Sequence, residues 1–282
     1  FLQQAKSLPI VHFWDKDPSK VPEQLPLVEI LPRARWVFYC IPSWALKEAL
    51  DETATLIPET ATILCVSKGI EPNTQKTIDE LMLEYFPSHP LALLLGPMLA
   101  DEILRGHPGF ATVATKNKRT SQLIQSLFKQ SDLQLVYTSS LRDAAFASVL
   151  KNVYSLAMGL ADGLEWGNNQ KGVLAALAMR EMSLVMRSAK QNPAILQTPA
   201  GFPDFLATAF SPSSRNRTLG EEIVRSGLCT FQSEGLIALP SLVNRLDKKT
   251  QSFAILHALR RILLQGKHHE LSTLFSKLTQ SL

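Results

Sequence analysis

From Ile10 to Thr138 short apolar runs alternate with segments of helical spacing, and near Ser140 the alternation stops. That rhythm leaves few folds open. Strands separated by helices build a mostly parallel sheet with helices over its faces, the doubly wound arrangement. The strand candidates are Ile10 to Trp14, Trp36 to Ile41, Thr62 to Val66, Ala92 to Leu95, Ala111 to Thr115 and Leu133 to Tyr137. Between them Trp44 to Leu56, Thr74 to Tyr85, Met98 to Leu104 and Lys118 to Phe128 carry helical spacing, several with a Pro or a capping Ser/Thr near the start. Beyond Ser140 the chain reads as helices parted by Gly, Pro, Ser and Asn clusters. Two domains are therefore expected, a Rossmann-like α/β domain over 1–139 and an all-α domain over 140–282. Phe146, Val149, Leu150, Val153, Ala157 and Leu160 fall at three- and four-residue steps, so a long helix with an apolar face should open the second domain.

The 282 residues, 45% of them hydrophobic, are enough to bury two cores. The formal charge of +4 comes from 29 basic and 25 acidic residues spread along the chain, whereas a nucleic-acid binder gathers its basic residues into a patch. Cys40, Cys65 and Cys229 are odd in number and far apart, so they suggest neither a disulfide framework nor a metal site. The six histidines lack metal-ligand spacing, and no metal is implied. No uninterrupted apolar run reaches membrane-spanning length, and the opening residues do not form a leader pattern, so a cytoplasmic protein without membrane insertion is expected.

Lys151 is the one charged residue between Asp143 and Asp162, and it stands beside the amide of Asn152. In a dry setting a lysine loses preference for its charged form and can exchange a proton near neutral pH. That suits carbonyl reduction, where hydride arriving at carbon leaves an alkoxide in need of a proton. A lysine snorkelling to water from an amphipathic helix fits the same pattern, and the residues alone leave both open. Arg215-Asn216-Arg217 follows Ser211-Pro212-Ser213-Ser214 as a loop entering a helix, where backbone donors and a guanidinium favour phosphate. A solvated basic turn is the alternative. Lys68-Gly69 closes the third strand candidate, at the carboxyl end that faces the ligand crevice in open parallel sheets. It could also be a strand-end lysine in water. Asp204, after Pro203, could serve a site or simply cap a short helix.

Taken in order, these residues resemble the bacterial NAD(P)-dependent glycerol-3-phosphate dehydrogenase family from His12-Phe13-Trp14 to at least Glu234-Gly235. Ser67-Lys68-Gly69-Ile70-Glu71 is similar to the family's Ser-Lys-Gly-Ile-Glu, and Gly96-Pro97-Met98-Leu99-Ala100 to its Gly-Pro-Ser-Phe-Ala. Leu150-Lys151-Asn152-Val153 then leads through Gly159, Asp162-Gly163-Leu164 and Gly167-Asn168-Asn169 to Arg180-Glu181-Met182. Asp204 with Thr208, then Ser214-Arg215-Asn216-Arg217 and Gly220, resemble its Gly-Asp-Leu and Ser-Arg-Asn-Arg segments.

The resemblance implies a dihydroxyacetone phosphate reductase using NAD or NADP and supplying glycerol phosphate for phospholipid synthesis. Lys151 would be the general acid, Asp204 would orient it and a substrate hydroxyl, and Arg215 and Asn216 would engage the phosphate. Lys68 and Ser214 would also place the substrate, with Gly96, Met98, Asn152 and Thr208 completing the set. Glu234 and Ala100 would lie near the nicotinamide, Lys16 beside the adenosine ribose, and Lys68 and Arg215 within reach of the cofactor. Asp15 and Asp17 around Lys16 lean toward a free ribose hydroxyl and hence NAD.

Three departures from the family stand out. Its first strand and Gly-x-Gly-x-x-Gly turn would precede Phe1, with Phe1 to Ser7 as the tail of the following helix, so this stretch of chain is expected to bind dinucleotide poorly without them. Met98 replaces a hydroxyl residue that contacts substrate, and Phe202-Pro203 replaces Leu-Gly before the aspartate. A non-catalytic relative, or a dehydrogenase for another small hydroxy acid, are the alternatives. Pairing into a homodimer rests on analogy alone.

Overall fold

The structure is a computed structural model and describes residues 10–280. Phe1 to Ser7, expected as the tail of a helix, lie outside the described residues. Five strands form one sheet in chain order: β1 (Trp36–Tyr39), β2 (Thr62–Cys65), β3 (Leu91–Leu95), β4 (Gly109–Ala114) and β5 (Leu133–Thr138). β1, β2 and β3 are mutually parallel, and β4 and β5 are parallel to each other. β3 and β4 run antiparallel, with Leu93 opposite Ala114 and Leu95 opposite Thr112. A sheet that is parallel in three of its four pairings is the expected α/β architecture, with one reversal that hydrophobic pattern alone cannot signal.

Period-two alternation explains how the sheet fills both faces. Ile63, Cys65, Leu91, Leu93 and Leu95 enter the main core, while Leu64, Ala92 and Leu94 enter a smaller one on the opposite face. α1 (Leu27–Ile30) precedes the sheet. α2 (Ser43–Thr53) sends Leu46 and Leu50, and α3 (Ile78–Tyr85) sends Leu81 and Met82, into the main core. The short α4 (Ala100–Leu104) lies between β3 and β4, and α5 (Lys118–Phe128) covers the other face with Ile124 and Phe128. The capping box at Thr77 and Glu80 and the Asn117 cap fix where α3 and α5 begin.

Ile10 to Trp14 is not a strand. Ile10 is 88% and Phe13 57% exposed, and no described strand hydrogen-bonds to the outer edge of β1. An apolar run states a preference for burial, but a strand also needs a backbone neighbour, and this run has none among the described residues.

After β5 every element is helical: α6 (Leu141–Gly163), α7 (Asn168–Ser188), α8 (Phe202–Phe210), α9 (Arg215–Ser226), α10 (Glu234–Leu246), α11 (Ala254–Leu259) and α12 (Leu271–Gln280), with short 3-10 and π turns between them. α6 differs from the expected amphipathic helix, because it is buried without a break from Ala144 to Ala161. It is the only described helix long and apolar enough to cross a membrane, yet its most apolar stretch is wholly buried, as for a core helix. α7, α8, α9, α10 and the sheet surround it. Close approach comes from missing side chains: a Cβ on Gly159 would collide with the Arg217 carbonyl, and one on Gly220 with the Leu156 carbonyl. α6 and α9 therefore touch backbone to backbone.

Candidate active site

Lys151 lies mid-way along α6, so the alternative of a lysine snorkelling to solvent is excluded: the residue is 6% exposed. Its ammonium donates to Thr208 Oγ1 at 3.1 Å and stands 3.5 Å from Asp204 Oδ2. Asp204 and Thr208 come from consecutive turns of α8, whose i,i+4 spacing puts both on the face turned toward α6. Lys68, just past β2, reaches the same carboxylate at 2.7 Å and donates to the Gly96 carbonyl at 2.8 Å. Two lysines from different domains thus share one buried carboxylate.

The electrostatics follow from that sharing. Burial pushes the Lys151 ammonium down to about 8, opposed by Asp204 and reinforced by Lys68. Burial alone would raise the Asp204 carboxyl, but Lys151 and Lys68 together hold it below the usual range. A lysine near 8, oriented by a carboxylate and a hydroxyl, can lose and regain a proton around neutrality.

Asn152, next on α6, accepts from Asn216 Nδ2 at 3.0 Å, and Asn216 Oδ1 in turn accepts from the Gly235 amide. Asn152 Nδ2 is buried and has no partner. Such a donor costs about 1–3 kcal/mol unless something accepts from it. Ser214 caps α9 by accepting from the Arg217 amide, which commits its hydroxyl to the helix start. Arg215, exposed on the first turn, stacks over Phe231 and donates to the Gln232 carbonyl. Arg217 is drawn away to Asp162, so Arg215 is the exposed cation of the two.

Glu234 begins α10 and accepts from both the amide and the hydroxyl of Ser43, the first residue of α2. Burial raises its carboxyl, and the two donors and the nearby lysines oppose this. Gly69 makes the contact feasible, since at φ 125° any Cβ would meet Glu234 Oε2. Sequence reading missed Ser43; its only local signal is a serine after Pro42 at a helix start, which reads as an ordinary cap. Its carboxylate partner is 191 residues away.

Other expected residues sit differently. Gly96 closes β3 with φ 156° and is buried. Met98 packs against the smaller core, as its apolar side chain dictates. Ala100 is exposed at the start of α4. Lys16 forms an exposed ion pair with Glu48 on α2. Glu71, part of the Ser-Lys-Gly-Ile-Glu run, accepts from Asn73 and Thr74 and fixes the turn after Gly69. No group of three or more potential metal ligands occurs among the described residues.

A mostly parallel sheet whose strand ends face a lysine and carboxylate on an all-helical second domain defines the class of two-domain dehydrogenases. Residues 4–121 match the description "NAD-dependent glycerol-3-phosphate dehydrogenase N-terminus" and residues 142–272 the corresponding C-terminus. The glycerol-3-phosphate dehydrogenase [NAD(P)+] of Brucella ovis is 30% identical over 233 residues, 82% of this chain and 71% of that protein. The protein of the same name from Chlorobium limicola is 28% identical over 251 residues, covering 86% and 75%. The solved glycerol-3-phosphate dehydrogenase of Coxiella burnetii shares the fold with a TM-score of 0.77 at 22% identity, covering 90% of this chain and 79% of that one. The chain belongs to the NAD-dependent glycerol-3-phosphate dehydrogenase family.

Proposed function

We propose that this protein interconverts dihydroxyacetone phosphate and sn-glycerol 3-phosphate with NADH or NADPH. What carries the reading is Lys151, drawn to about 8 by burial and held against Asp204 and Thr208, beside the unpartnered Asn152 Nδ2. The nicotinamide dinucleotide supplies the hydride. Lys151 gives a proton to the ketone oxygen as negative charge develops there, and Asp204 and Thr208 hold that ammonium in line. Asn152 Nδ2 donates to a substrate oxygen, and Asn216 fixes its amide. Arg215 leaves Phe231 to take the phosphate with Asn216, in the manner of a guanidinium fork. Thr208, Gly96 and the Ser214 helix start form the remaining substrate wall.

The donor set fits the nicotinamide end of the cofactor. A carboxylate offers about four acceptor positions, and Ser43 takes two of those on Glu234, so a carboxamide N–H can still be received there. Lys68, Ala100 and Arg215 border the same space in this reading, and Lys16 with Asp15 and Asp17 meets the adenosine ribose, favouring NAD over NADP. We assign residues 1–139 to cofactor binding and 140–282 to substrate and catalysis, with glycerol phosphate for phospholipid synthesis as the product, in the cytoplasm, by a homodimer.

Oxidation of NADH and NADPH with dihydroxyacetone phosphate by the full-length protein tests the assignment. Arg215→Leu should raise the KM for dihydroxyacetone phosphate ten- to a hundredfold, as expected for loss of about 1.5–3 kcal/mol of charge-assisted hydrogen bonding. No turnover in the parent would sink the reading, and an unchanged KM would remove the phosphate role of Arg215.

A further inference from the structure

We infer that Ser43 is a positioning residue for the reaction: its amide and hydroxyl clamp the Glu234 carboxylate across the domain junction and fix the start of α10 beside the Lys68–Asp204–Lys151 cluster. This rests on the reading of the cluster given above.

The contact is built rather than incidental. Ser43 is fully buried, its backbone amide donates to one oxygen of Glu234 at 2.8 Å, and its hydroxyl donates to the second oxygen of the same carboxylate. α2 has no side-chain cap of its own, because the residue before it is Pro42. Glu234 therefore supplies that cap from the other domain, where a carboxylate at a helix start is favoured. The same stretch is pinned twice more, by the Asn216 side chain on the Gly235 amide and by Ser233 capping the Leu236 amide. Asn216 in turn holds Asn152, next to Lys151. Loosening Ser43 thus frees the anchor that the sheet domain places at the start of α10, while Arg245 on Glu80 of α3 still ties its far end and both anchors from the helical domain persist.

Ser43 touches no reacting atom in this scheme; it acts through Glu234. The hydroxyl should matter most for holding the dinucleotide, where both domains must meet, and less for proton transfer by Lys151, which α6 and α8 fix on their own.

Ser43→Ala and Ser43→Thr in the full-length protein test this, with three readouts: NADH affinity by fluorescence titration, kcat and KM, and hydrogen exchange at the residue 43 amide without ligand. The expected result for Ser43→Ala is a five- to tenfold weaker Kd and higher KM for NADH, kcat within about threefold of the parent, and at least tenfold faster exchange at that amide. Ser43→Thr, which keeps the hydroxyl, should restore most of the affinity. Equal exchange in parent and Ser43→Ala overturns the clamp. Faster exchange with unchanged affinity leaves the clamp purely structural and overturns the positioning role. A parent protein that binds neither NADH nor NADPH overturns the dehydrogenase reading and this role with it, and the exchange measurement still reports separately on the clamp.

Discussion

Lys151→Met should change how stability depends on pH as well as abolish turnover. Burial draws the Lys151 ammonium from an ordinary 10.5 to about 8, a difference worth about 3 kcal/mol between its charged and neutral forms. Below about 8 the lysine is charged in the folded and unfolded chains alike, and the folded chain bears the full cost of burying it. Between about 8 and 10.5 the folded chain sheds the proton while the unfolded chain keeps it. The unfolded state then binds more protons, so this lysine's contribution to stability rises with pH and levels off once both forms are neutral. Methionine has no such dependence. Urea denaturation of parent and variant across this range should show the parent gaining about 3 kcal/mol relative to Lys151→Met between neutral pH and 10.5, with titrating groups that do not interact with Lys151 cancelling in the difference. In the same variant, ketone reduction should fall by at least about a hundredfold, the usual worth of a positioned general acid. A stability difference that stays flat with pH would refute the account of Lys151 as a desolvated, protonated lysine.

Two further outcomes follow from the same geometry. Asp204 is the principal group raising Lys151 against burial, so Asp204→Asn should push that ammonium further below about 8 and move the alkaline limb of the kcat profile for ketone reduction toward acid; an unmoved limb would count against the pairing. Gly159→Ala would drive a methyl group into the Arg217 carbonyl and should destabilise the helical domain by roughly 1–3 kcal/mol in a denaturant titration, whereas a change under about 0.5 kcal/mol would mean that α6 and α9 have room to part.

The α/β architecture was legible because strands and helices have different hydrophobic periods, and Ile63, Leu64 and Cys65 occupy the two sheet faces as a period of two requires. Ile10 to Trp14 has the same composition but lacks a backbone partner among the described residues, a fact that belongs to another part of the chain. The reversal between β3 and β4 was hidden for a related reason, since apolar alternation carries no direction. Within the site, Lys151 announced itself by being the one charge in a long apolar stretch, and its burial was open until α8 was seen to supply Asp204 and Thr208. Glu234 came only through family resemblance. Ser43 was invisible because its meaning lies in a contact between residues 191 positions apart.

The antiparallel step from β3 to β4 also bears on how such a site can change over time. A parallel connection would have to carry the chain across a sheet face and back, embedding the connector in a core. Here Gly96 to Pro108 leaves β3 and re-enters β4 at the same end of the sheet, carrying Met98 and Ala100 with it. Within it Ala100 to Pro108 is mostly exposed, so its length and residues can change while Gly96, Met98, the strands on either side and the lysine opposite keep their places.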